Sequence, residues 1–137
     1  MNSNRRKEIV DTYNTIYSVD IVVAKNIGYK KLNKYYSYST GEDLEESIEN
    51  SVATTAKCIR RSDNKPVVLI LWNKDLPSYK VDHKKGYMIN TMAHEATHAA
   101  IDIWDYIGEY IDANHSEPVA YFIGWVTECI YKTITKK

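Results

Sequence analysis

The chain has 137 residues, 44% hydrophobic and 26% charged, which fits one globular domain and leaves little room for a second. Eighteen basic residues balance eighteen acids, which argues against a nucleic-acid binder relying on a large basic excess. The longest apolar run, Val67 to Trp72, is far short of the roughly 20 residues that span a bilayer, so no membrane partner is expected.

A chain of this length buries roughly 68% of its unfolded surface on folding and needs no disulfide framework. Cys58 and Cys129 match neither a zinc-knuckle nor a CxxC spacing, and read as two packed thiols in a reducing compartment. The opening MNSNRRKEIV has no apolar stretch after its basic residues, so a secretory signal is not expected.

In chain order, residues 1–10 are polar and charged and read as a frayed tail or the start of a helix. Residues 19–24 (VDIVVA) are short, β-branched and apolar, and predict a strand. Leu32, Tyr35 and Tyr36 recur at helical spacings among lysines, which predicts a helix over 29–38. Residues 39–50 are a polar loop or one or two helical turns. The segments 51–61 and 66–73 flank Ser62-Asp63-Asn64-Lys65, a turn-rich tetrad, so residues 51–73 predict a β-hairpin. A connecting loop over 75–85 leads to Gly86.

Beyond it the period changes. Met88, Met92, Ala96, Ala99, Ala100, Ile103, Trp104, Ile107 and Ile111 recur every three or four residues, the pattern of a mostly buried helix over 87–108. Residues 112–116 form a polar break. Ser116-Glu117-Pro118 then has the form of a helix start, and a last helix is expected over 117–133. Its first half is apolar on nearly every side, so it is either central to the core or a surface for a homo-oligomer.

Charge is unevenly spread along the chain. From Met88 to Tyr131 there are seven acids and no lysine or arginine, a region built to tolerate a cation. Inside it lies His94-Glu95-Ala96-Thr97-His98, an HExxH sequence on the predicted helix. The two histidines differ by about 40° around a helix axis and by about one turn along it, so both imidazoles can reach one tetrahedral ion. Glu95 then projects where a bound water would sit and can take its proton. Four His and nine Glu placed at random would give this motif about once in a hundred such chains. The competing reading is a polar stripe on a half-buried helix, but the flanking Met92, Ala93, Ala96, Ala99 and Ala100 make unpaired histidines there costly.

A catalytic zinc needs a third protein ligand and an open position. Asp102, Asp105, Asp112, His115 and Glu117 are the downstream candidates. Asp102, one turn beyond His98, is better placed to hydrogen-bond an imidazole. Glu117 is favoured, because it opens a helix that must fold back on the first, provided that strand-like residues 110–114 span the return. The same carboxylate also suits a purely structural place in the first turn of a helix.

The stretch HEATHAAIDIWDYIGEYIDANHSEPVAYFIGWVTECIYK, with the hairpin before it, resembles the small zincin-like HExxH proteins of bacteriophages and prophages over roughly residues 51–133. The resemblance implies an α+β, zincin-like, gluzincin-type domain in which a small mixed sheet packs on the HExxH helix. It implies a Zn2+ cofactor held by His94, His98 and Glu117. It also implies a peptide or protein substrate paired with the sheet's edge strand. For stabilising the oxyanion, Tyr121, one turn after Glu117, is the first candidate and His115 the second. The setting it implies is the cytoplasm of a bacterial host, or the virion.

Three functions follow. The first is a zinc-dependent metallopeptidase using zinc-bound water, with Glu95 as general base and proton shuttle. The second is a non-catalytic, zinc-stabilised phage structural or host-interaction protein. The third is a metal-dependent hydrolase of a non-peptide bond, which the sequence does not separate from the first.

Overall fold

The computed structural model describes residues 7–73 and 84–136. Five strands form one mixed sheet in the order β1-β2-β5-β4-β3. These are β1 (Ile9–Tyr13), β2 (Asp20–Lys25), β3 (Tyr36–Tyr38), β4 (Ala53–Arg60) and β5 (Lys65–Trp72). A single helical turn, α1 (Tyr29–Leu32), follows β2, and two long helices, α2 (Lys84–Ile107) and α3 (Glu117–Ile134), close the chain. The architecture is α+β.

β2 and β5 sit at the centre, side by side and parallel, while every other neighbouring pair is antiparallel. Their sequences explain the position. IVVA and VVLILW are continuous apolar runs of mostly β-branched or large residues, suited to strands covered on both faces. On one face Ile21, Val23, Val68, Ile70 and Trp72 pack under α2 and α3. On the other, Val22, Ala24, Val67, Leu69 and Leu71 meet Leu32, Tyr36, Leu44 and Ile48 from the segment between β2 and β4. Cys58 belongs to this second core and Cys129 lies buried on α3; both are free thiols.

The hairpin predicted over 51–73 is β4 and β5, with Asn64 in the left-handed region (φ 57°) at the turn. Two expectations change. Residues 29–38 hold one helical turn and then a strand, because Tyr36 and Tyr38 extend alongside β4 and Tyr36 buries its ring in the second core. Residues 9 and 10, read as part of a frayed tail or a helix start, instead open β1. Asp11 and Tyr13 there face α3 through the buried hydroxyl of Thr133, at 2.8 Å each.

α2 begins at Lys84 and presents Ala96, Ala99 and Ala100, all fully buried, to the sheet and α3; their small size allows close approach. It ends in a Schellman arrangement. Gly108 takes φ +74°, and the Gly108 and Glu109 amides donate to the Asp105 and Trp104 carbonyls. Residues 110–114, expected to be strand-like, form no strand, and Ala113–His115 is a single 3-10 turn whose Asn114 amide donates to Asp112. The expected 75–85 loop lies mostly outside the described residues. No helix among the described residues is long and apolar enough to cross a membrane.

Candidate metal centre on helix α2

One side of α2 packs on the sheet and the opposite side faces solvent, and the HExxH residues straddle the boundary. His94 and His98 are exposed, with their Nε2 atoms 3.2 Å apart. Two nitrogens bound at 2.0–2.1 Å to one tetrahedral ion stand roughly 3.3 Å apart, so this spacing fits two ligands of such a site. Both rings line a shallow hollow with Asn90, Ala93, Thr97 and Ile101.

Glu95 points the other way, toward the sheet. It is 6% exposed, and its carboxylate Oε2 accepts a 2.6 Å hydrogen bond from the Thr55 hydroxyl on β4. The base candidate therefore lies in the seam between α2 and β4, while the histidine pair faces solvent. Further along that seam Lys57 of β4 donates to Asp105 of α2 at 2.6 Å, and the Tyr106 hydroxyl donates to the Cys58 carbonyl at 3.1 Å. Asp102, one turn past His98, is half-buried. Burial pushes its carboxyl above the usual range, Lys57 and His98 pull it back, and Asp105 pushes it up again.

Glu117 and Tyr121 are not brought to the histidine pair. α2 continues nine residues beyond His98, about 14 Å at helical rise, so the chain turns back well past the motif. Glu117 opens α3 exposed to solvent, and the adjoining Pro118 lines a hollow with Trp104, Ile107, Asp112 and His115. Tyr121, 76% exposed, lines another with Ile16, Tyr17, Phe122 and Trp125. His115 is bound by its own turn, its Nδ1 2.8 Å from Asp112 Oδ2. Among the described residues no group of three or more His, Cys, Asp or Glu side chains is placed to hold an ion. Two donors are thus preset and the third is not.

Thr55 is the residue that sequence reasoning missed. Hairpin alternation puts Ala53, Thr55 and Lys57 on one face, but which helical residue each meets depends on how α2 is laid across the sheet. No protein-family model, characterised protein or solved structure matches this chain.

Proposed function

We propose that this is a zincin-like, zinc-dependent hydrolase, most simply a metallopeptidase, with its centre on His94, Glu95 and His98. The observation carrying this reading is the convergence of the two exposed Nε2 atoms at 3.2 Å, one helical turn apart within the HExxH sequence. A zinc ion held by His94 and His98 would supply a Lewis acid able to polarise a carbonyl and acidify water. Glu95 takes the proton of the attacking water and returns it to the leaving amine.

In this proposal Glu117 is the third ligand, and the exposed segment 108–117 must carry it along α2 toward His98. Every residue from Gly108 to Pro118 is exposed, and the movement unwinds the first turn of α3, where the Ala120 amide donates to the Ser116 carbonyl. Substrate binds extended along β4. The Val52 carbonyl accepts from the Asn73 amide and the Lys57 carbonyl from Ser39. By alternation, the backbone groups of Ala53 and Thr55 face away from β5. β3 pairs only with Cys58–Arg60, and among the described residues no strand covers 53–56 on that side.

The test is metal analysis of protein purified without chelator, with turnover of a peptide library by the wild type and Glu95→Gln. Zinc near one equivalent, cleavage by the wild type, and loss of cleavage with zinc retained in Glu95→Gln support the reading. Bound zinc without cleavage favours a structural metal, and absence of zinc removes the centre.

A further inference from the structure

Among the described residues the three most exposed large hydrophobic side chains, Ile16 at 94%, Tyr110 at 91% and Tyr121 at 76%, line two hollows that meet. One, of about 530 Å³, lies between residues 14–17 and the start of α3. The other, of about 500 Å³, lies between the end of α2 and the 3-10 turn. Tyr17 and Pro118 line both, so the two form one groove. Tyr17, Trp104, Phe122 and Trp125 pack edge-on or tilted with ring centroids 5.5 to 6.0 Å apart, a preorganised aromatic floor. The rim is acidic. Glu109 and Asp112 line the second hollow, Glu117 stands exposed beside Pro118, and neither lining holds a lysine or arginine. Asp112 is engaged by His115 and the Asn114 amide. Glu109 and Glu117 have no cationic partner among the described residues, whereas Asp105 pairs with Lys57 and Glu128 with Lys132.

We propose that this groove docks a segment of a partner protein in which a lysine or arginine stands within a few residues of a large apolar side chain. The apolar side chain takes the hollow of Ile16, Tyr121 and Trp125. The cation takes the hollow of Glu109, Asp112 and Tyr110, where carboxylates and aromatic faces both favour it. Charge decides the occupant. An uncharged apolar segment would desolvate the rim carboxylates without pairing them. A second copy docked symmetrically would set the same acids against one another, and an anionic membrane or nucleic acid is repelled. The proposal does not rest on the metal reading, and its test uses no added metal.

The experiment selects a displayed library of random peptides, each of about 12 residues, on the metal-free chain and discards those that also bind Glu109→Lys/Tyr121→Ser. Survivors should carry a lysine or arginine near a large apolar residue. By fluorescence anisotropy they should bind the wild type about 10-fold or more tighter than either single variant. Both positions are exposed, and melting curves check the fold; Glu109→Gln or Tyr121→Ala replaces a variant that melts early. Glu46→Lys makes the same charge change on an exposed turn beside Ile48 of the second core, and should leave affinity within about twofold. No surviving peptide, survivors without a basic residue, or equal weakening by Glu46→Lys overturns the proposal. So does a dimer in equilibrium sedimentation that Tyr121→Ser dissociates, which would give the face to a second copy.

Discussion

The carboxylates around His98 differ in where the backbone puts them, and that separates their expected contributions. The proposed centre makes Glu117 a ligand, so Glu117→Ala should weaken zinc affinity strongly. Asp102 sits one turn from His98 and is close enough for the two charges to be felt, so Asp102→Ala should cost about 10- to 100-fold, as for a carboxylate that orients an imidazole. Competition with a chromogenic chelator measures both. A larger loss from Asp102→Ala would move the third ligand to α2 itself, where no movement of 108–117 is needed. The thiols carry a second residue-scale expectation. Burial pushes Cys58 up to about 12 and Cys129 up to about 11. Both should resist alkylation at pH 8 in the native protein and react once it is denatured, as a thiol count would show. In the unfolded chain these thiols ionise near pH 9, so the stability from keeping them protonated is present below that pH and is lost as pH rises toward 11–12.

At the scale of elements, the hairpin and α2 carry the proposed centre. β4 is an inner strand along Cys58–Arg60 and, among the described residues, has no strand beyond it along 53–56, which is where the proposed function has an extended peptide pair. Ala53 is the first residue of β4, a position where proline is tolerated, and its amide faces outward. Ala53→Pro should leave the melting temperature within a few degrees of the wild type and raise KM for an extended peptide several-fold. Cleavage at the wild-type KM would place the substrate elsewhere. The HExxH motif, its helix and the hairpin were legible from residue spacing, because each repeats a short-range pattern along the chain. β3 was not, since Tyr35 and Tyr36 stand at helical spacings from Leu32 and only pairing with β4 draws Tyr36–Tyr38 into a strand.

For the molecule as a whole, a two-faced core holds α2 while leaving its histidine side in solvent. A metal bound to the folded state alone should stabilise it by mass action, about 2.7 kcal/mol at a hundredfold excess over Kd. For a domain of this size that is roughly a 10 °C rise in melting temperature on adding zinc, reversed by chelator. An unchanged melting curve would mean that the histidine pair holds no ion. The sequence by itself determined the α+β composition, the central apolar strands and the one-turn spacing of His94 and His98, because these depend on periodicities of a few residues. Only the tertiary structure decided that Glu95 turns inward onto Thr55 while the histidines turn outward, and that Glu117 begins its helix beside the far end of α2. Both depend on how a 24-residue helix lies across the sheet and where it stops, which is set by packing Ala96, Ala99 and Ala100 on β-strands and by a glycine C-cap, not by the spacing of the motif.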